Sequence, residues 1–382
     1  KNKMLQDAEI LIKSYNSLFK RGTDIYLKEA KKMRSDSGRT FIQDDKLENH
    51  LNNDLDEMFN EEFCTEGEYD LYLMENMGKK IISGSTQEIH KVFKYRDKLY
   101  EEWDVTPVQE LGNITPEEYF SKIEDLDILI EIFKLYAVKS DYKMPDAFLK
   151  KLKVYGNECI DIIIKLAINE VPYYFKEMFN MSEIDYIPDK TREYFTVSLT
   201  AIEILGSWKI EEVIIPIIEL LQNIPSVIYD VDSMDGFYNS KNDDIDGYME
   251  MYRSNIRDAL VSIGSSAIEH ILNVFENIEE YDENHEYIAM ALAEIGKENR
   301  SDRIYRTLKD AFLNMDNKIV GSSCLGIYGD CRAITALRGY VKKNLNNLDR
   351  ETFYEIKKAV EDLGGNMDDI KFRGPAVDLN LH

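Results

Sequence analysis

Apolar side chains recur along most of the chain at steps of three and four residues, the spacing of one face of an α-helix. Residues 4–33 carry such a stripe from Leu5 to Ile25, and residues 41–78 and 86–104 repeat the pattern beside many charged positions. Strict alternation of apolar and polar residues, which is typical of half-buried strands, is scarce. The chain is therefore predicted to be all-α, with a helical region over residues 1–140.

A further helix is predicted to begin at Thr115-Pro-Glu-Glu118. The hydroxyl of Thr115 can cap the helix, Pro116 suits the first helical position, and Glu118 can complete a capping box. The apolar spacing that follows predicts one continuous helix as far as about Val138.

Beyond Pro145 the pattern changes to pairs of short helices separated by a glycine. Residues 147–154 and 159–166 flank Gly156, and residues 195–205 and 213–221 flank Gly206. Four later stretches end in a glycine in the same way: 259–264, 291–296, 324–329 and 359–364, with the glycines 32, 33 and 35 residues apart. A repeat of that length is typical of stacked helical hairpins, each of which buries its second face against the next.

The glycines are interpreted as turn positions. Gly296 is predicted to permit the left-handed turn that ends a helix, after which Ser301 caps the next one. Gly329 and Asp330 are predicted to turn the chain and cap the following helix in the next unit.

These Ala/Leu-x-x-Ile/Leu-Gly stretches, and above all Gly329-Asp-Cys-Arg-Ala-Ile-Thr-Ala-Leu337, resemble the HEAT family, especially its compact HEAT-like form known from phycobilin lyases. The resemblance covers roughly residues 145–365, and the predicted domains are a helical region, 1–140, and a solenoid, 141–372. It implies an α-solenoid, a right-handed superhelix whose second helices line a concave surface. Family members are mostly protein-binding scaffolds, and a minority act in lyase complexes or bind DNA.

An acidic insertion, residues 226–250, separates two of the repeats and is predicted to be a protruding loop. It carries seven acidic residues against Lys241 alone. Asn242-Asp-Asp-Ile-Asp-Gly247 resembles the first half of a calcium-binding loop, but the twelfth position is Arg253, which cannot coordinate a cation. A solvated acidic loop is favoured, with loose cation binding as the alternative.

The composition restricts the partners. The formal net charge of −25 disfavours nucleic acid and favours a basic protein. The sequence contains no apolar run long enough to span a membrane and no apolar secretion signal at its start. The four scattered cysteines predict mostly buried thiols in a reducing, cytoplasmic compartment, with Cys159, Cys324 and Cys331 in helical hairpins.

No catalytic constellation emerges, and we expect neither a cofactor nor a metal site. His285-Glu286 begins like a metalloprotease motif, but Ala289 stands where the second histidine is required. Cys324 is interpreted as a core residue rather than a nucleophile.

The leading hypothesis is a non-enzymatic scaffold that binds another protein, a basic one in particular. The candidate partner-binding residues lie on the exposed faces of the second helices and in the insertion: Glu269, His270, Asn273, Arg303, Arg306, Thr335, Arg338, Asp232, Asp235, Asp244 and Asp246. The alternative is a lyase-type enzyme or subunit with a pocket between the aromatic residues 173–186 and the concave face. The sequence leaves the oligomeric state open.

Overall fold

The computed structural model describes residues 2–17, 102–140, 143–180, 187–225 and 243–374. The predictions for residues 18–101, for residues 181–186 and for the insertion up to residue 242 lie outside these ranges, and the side chains of residues 176–180, 243 and 244 are not described. The described residues are helical, and their only β-type pairing is an isolated bridge between Val108 and Ile114. The all-α prediction is therefore confirmed for this part of the chain.

Contacts between Cα atoms divide the chain into two compact units, Lys1–Cys159 and Ile160–His382. The described helices of the first unit are α1 (residues 2–17), α2 (Pro116–Ser121), α3 (Leu126–Lys139) and α4 (Asp146–Lys153), and residues 102–104 are helical as well. The boundary falls within α5 (Asn157–Ile168).

The predicted continuous helix after Thr115 is wrong in one respect. The capping box of Thr115 and Glu118 is present, as expected, but the helix it opens ends at Ser121. The carboxylate of Asp125 then accepts a hydrogen bond from the backbone N–H of Ile128 and caps a separate helix, α3. A second cap thus interrupts the apolar stripe.

The core of the first unit is aromatic. Tyr15 packs edge-on against Trp103 with ring centroids 4.7 Å apart, and Tyr136 stacks on Phe148 at 5.6 Å. Asp104 is buried beside this cluster, and its Oδ2 accepts a hydrogen bond from the backbone N–H of Ala147 over 2.9 Å. Burial raises the pKa of the Asp104 carboxyl to about 6 because the ionised form loses its hydration.

The second unit continues with ten helices in the described ranges. They are α6 (Val171–Asn180), α7 (Asp189–Ser207), α8 (Ile214–Gln222), α9 (Asp243–Ile263), α10 (Ile268–Glu276), α11 (Glu283–Glu298), α12 (Asp302–Asn314), α13 (Lys318–Tyr328), α14 (Ala333–Asn344) and α15 (Arg350–Asp362). Helices α7, α9, α11, α13 and α15 pack against one another in succession, each against the next. Helices α8, α10 and α12 form a second succession, which lies against the first.

The glycines of the repeat serve two different purposes. Gly329 has a left-handed backbone with φ of 76° and ends α13, as predicted. Gly296 instead lies inside α11, where an added Cβ would come within 3.1 Å of the Tyr328 ring. Gly206 lies inside α7, where an added Cβ would be 2.6 Å from the Cα of Ala259 on α9. The prediction that Gly206 and Gly296 form turns is wrong, because both permit close approach between helices.

The described cysteines are free thiols. Cys159 and Cys324 are buried, as predicted, whereas Cys331 is exposed in the turn before α14. Its placement in a buried helical position was therefore wrong, because the polar turn at Gly329 extends past it.

Candidate partner-binding surface

The candidate residues on second helices lie on three successive elements. Glu269, His270 and Asn273 are on α10, Arg303 and Arg306 are on α12, and Thr335 and Arg338 are on α14. All are exposed except Arg338, which is half-buried. The 3.6-residue period thus identified exposed positions on α10 and α12 correctly, whereas on α14 it also selected the half-buried Arg338.

Arg303 connects α12 to α10. Its guanidinium lies 2.7 Å from a carboxylate oxygen of Glu269 and 2.7 Å from one of Glu276. The Glu269 carboxylate, followed by that of Glu276, raises the pKa of Arg303 further above its ordinary value. The pairs are solvent-exposed, so they orient the two helices more than they stabilise them.

A second connection passes through Arg332, a residue that the sequence reasoning did not select. Its guanidinium lies 2.5 Å from Asp302 and 2.7 Å from Asp330, and its centre is 4.1 Å from the centroid of the Tyr305 ring. Arg306 lies 2.6 Å from the same Asp302. The neighbouring guanidinium of Arg332 lowers the pKa of the Asp302 carboxyl. An arginine over an aromatic ring between two carboxylates fixes the start of α14 against α12.

Arg338 connects α14 to the segment after α15. It donates to both carboxylate oxygens of Asp369, over 2.8 and 2.7 Å, and to the backbone carbonyl of Asn366. Arg306 and Arg338 are candidate binding residues of opposite charge to most of this acidic chain. In the structure both already bind carboxylates of the same chain.

The second half of the insertion is helical rather than a loop. Asp244 and Asp246 lie in the first turns of α9, where Ile245 and Met249 are buried. The backbone from Asp243 onward is helical, which is not the turn that a calcium loop requires. The predicted loop over the whole of residues 226–250 is wrong from Asp243 onward, while Asp232 and Asp235 lie outside the described residues.

Arg253, noted in the sequence only as unsuited to calcium, anchors the root of the insertion. Its side chain is 2% exposed, and its Nε donates to Oδ1 of Asn284 over 2.9 Å. Its Nη2 donates to the carbonyl of Pro225 over 2.9 Å and lies 3.0 Å from the Glu283 carboxylate. Asn284 in turn donates to the carbonyl of Ile224 over 2.8 Å. The chain that leaves α8 is thereby fixed to α9 and α11.

The start of α11 accounts for the histidine that began the metalloprotease-like motif. The ring of His285 and the carboxylate of Asp282 form a capping box. Next to it, Glu286 accepts a hydrogen bond from the Asn317 amide over 2.9 Å, and burial raises the pKa of Glu286 to about 7. Among the residues that the structure describes, no group of histidine, cysteine and carboxylate side chains could hold a metal ion.

Two other chemical candidates are parts of the core. Phe175 packs between Phe195 and Tyr252 at centroid distances of 5.3 and 5.2 Å, so this part of the aromatic segment joins α6 to α7 and α9. Burial raises the pKa of the Cys324 thiol to about 12, which keeps it protonated and a poor nucleophile.

An open groove of ≈ 600 Å³, here called the acidic groove, lies between the end of α10 and α12. It is lined by Phe275, Glu276, Ile278, Glu279, Glu280, Tyr281, Thr307, Asp310 and Asn314. The rings of Phe275 and Tyr281 lie 6.2 Å apart. Glu276 is engaged by Arg303, whereas Glu279, Glu280 and Asp310 make no ion pair within the described ranges. The groove therefore presents carboxylates beside aromatic rings.

Comparisons with known proteins gave no match: no family model fits the chain, and no curated protein or solved structure is significantly similar to it. Among the described helices, none is long and apolar enough to cross a membrane.

Proposed function

We propose that the second unit is a HEAT-type α-solenoid that acts as a non-enzymatic scaffold and binds another, basic protein. The proposed binding surface consists of the exposed faces of α10, α12 and α14, the acidic groove between the end of α10 and α12, and the acidic insertion. The proposal includes a reducing, cytoplasmic location, which the free thiols of the described cysteines favour.

The order of helix packing supports the solenoid. Each helix of the α7–α9–α11–α13–α15 succession packs against the next, and α8, α10 and α12 do the same beside them. Contacts that follow chain order in this way are the basis of stability in repeat proteins. The ion pairs of Arg303 and Arg332 connect consecutive second helices and keep their outward faces in register.

The acidic groove is the observation that carries the choice of partner. Three carboxylates without an ion-pair partner in the described residues lie beside Tyr281, whose ring can also attract a cation. A lysine or arginine side chain of a partner could contact these carboxylates and the Tyr281 ring together. The chain's net charge of −25 also accelerates the encounter with a basic protein by long-range attraction.

Affinity purification from the native source, followed by mass spectrometry, tests this function. The full chain would be compared with the double variant Glu279→Lys/Glu280→Lys and with a control, Glu294→Lys/Glu298→Lys, which makes the same charge change on an exposed part of α11. We expect the wild type and the control to retain the same protein partner, and the groove variant to lose it.

Two results would contradict the proposal. Retention of every partner by the groove variant would remove the acidic groove from the interface. Absence of any protein partner, together with turnover of a small molecule by the purified chain, would favour the lyase-type alternative.

A further inference from the structure

A second open groove, here called the basic groove, lies between α15 and the segment that follows it. Its volume is ≈ 480 Å³, and it is lined by Arg350, Phe353, Tyr354, Lys357, Met367, Asp368, Ile370, Lys371 and Phe372. Phe353 is buried and packs against Phe372 at a centroid distance of 5.4 Å. Tyr354 is 47% exposed and lies 6.4 Å from the same ring. The groove thus offers aromatic surface to a ligand.

The charges that line this groove are inverted relative to the rest of the chain. Three cations, Arg350, Lys357 and Lys371, face one carboxylate, whereas the whole chain has 47 lysines and arginines against 72 aspartates and glutamates. The one carboxylate, Asp368, accepts a hydrogen bond from the Asn366 amide over 2.7 Å. It is therefore engaged within its own turn.

The cations of the basic groove are also incompletely paired. Lys357 lies 3.5 Å from Glu361, one turn further along α15. Arg350 lies over the Tyr354 ring at 5.8 Å, and neither Arg350 nor Lys371 makes an ion pair within the described ranges. In contrast, carboxylates of the chain bind the arginines that precede the groove on α9, α12 and α14: Arg253, Arg257, Arg303, Arg306, Arg332 and Arg338.

We propose that the basic groove binds an acidic peptide segment that carries an aromatic or aliphatic side chain. The ligand's carboxylates would pair with Arg350, Lys357 and Lys371, and its apolar side chain would lie against Tyr354 and Phe372. This site is separate from the acidic groove and does not depend on the function proposed for it.

The short distance over which charges interact in salt solution explains why a short peptide fits the basic groove better than a nucleic acid does. At physiological ionic strength charges are screened over about 8 Å, so a short ligand responds mainly to the local cations. A nucleic acid extends well beyond the groove, and its phosphates would meet the acidic remainder of the chain.

Fluorescence anisotropy with a labelled hexapeptide, in which phenylalanine and leucine stand between pairs of glutamates, tests the site. The full chain would be compared with Lys357→Glu, Lys371→Glu and Lys358→Glu. Lys358 is exposed on the same helix but does not line the groove, so the control carries the same change in net charge. Thermal unfolding of each variant would verify that it is folded.

We expect the acidic peptide to bind the wild type, with either groove variant weakening the affinity about tenfold and Lys358→Glu changing it less than about twofold. Equal weakening by all three variants would refute the site, since only net charge would then matter. Tighter binding of a peptide with lysines in place of the glutamates, or of a single-stranded oligonucleotide, would also overturn the proposal. The proposal would also be overturned if the chain formed a dimer that Lys357→Glu dissociates, because a second copy of the chain would then occupy the groove.

Discussion

Replacement of Gly206 by alanine should destabilise the second unit, although alanine is the better helix former. Gly206 lies within α7, and the added Cβ would be 2.6 Å from the Cα of Ala259 and 2.8 Å from its Cβ. Because the obstacle includes backbone, no side-chain rotation can relieve it, and α7 and α9 must separate by about 1 Å to restore ordinary contact.

The expected change in the free energy of unfolding is the difference of two effects. Overpacking usually costs about 1–3 kcal/mol, and an approach of 2.6 Å to backbone puts Gly206 near the upper end, whereas the change from glycine to alanine within a helix returns about 1 kcal/mol. We therefore expect a net loss of about 2 kcal/mol, or a fall in Tm of about 4–8 °C for a unit of this size. Urea and thermal unfolding, followed by circular dichroism and by the fluorescence of the neighbouring Trp208, would measure the change.

Gly339→Ala is the matched control. Gly339 lies exposed in α14, and an added Cβ would meet no atom within 4 Å. The same substitution should therefore stabilise the protein there, by about 0.5–1 kcal/mol. If both substitutions raised Tm, or if Gly206→Ala left it unchanged, the close approach of α7 and α9 would be refuted.

Two further predictions concern buried charges. The folded-state pKa of Asp104 is raised to about 6 from 3.8, so the folded protein holds this proton more tightly than the unfolded chain does. The resulting stability is present below pH 4 and is lost as the pH rises through 6. In urea unfolding, Asp104→Asn should therefore stabilise the first unit at pH 8, by at most about 3 kcal/mol, and by much less at pH 4. A variant equally stabilising at both pH values would contradict this cause. Arg253→Met should cost about 3 kcal/mol, because it leaves the side-chain oxygen of Asn284 and the carbonyl of Pro225 without a donor. Hydrogen exchange should show faster opening at the start of α11 than in Arg306→Met, which removes an exposed charge; equal exchange in the two variants would refute the anchoring role.

Local signals were the most reliable part of the sequence reasoning. Ser301 caps α12 as predicted, because its hydroxyl accepts a hydrogen bond from a backbone N–H only three residues away. Gly329 ends α13 with the expected left-handed backbone for an equally local reason. Such features depend on neighbours along the chain, which the sequence displays directly.

Features that depend on distant residues were less predictable. A glycine at the end of an apolar stretch looks the same whether it makes a turn, as Gly329 does, or admits another helix, as Gly206 does. The role of Arg253 depends on partners 28 and 31 residues away, so its spacing within a failed calcium motif carried no information about them. The outward faces of α10 and α12 followed from periodicity, but the acidic groove beside them and the basic groove beside α15 did not.

The anchoring of Ile224 and Pro225 has a consequence for how the sequence of this protein can evolve. Both carbonyls are secured by Arg253 and Asn284 before the chain enters residues 226–242, and α9 resumes its packing soon after Asp243. A change in the sequence or length of the intervening stretch should therefore leave the packing of the helices on either side intact. Residues 226–242 can therefore differ in length and sequence between related chains while α8, α9 and α11 keep their packing.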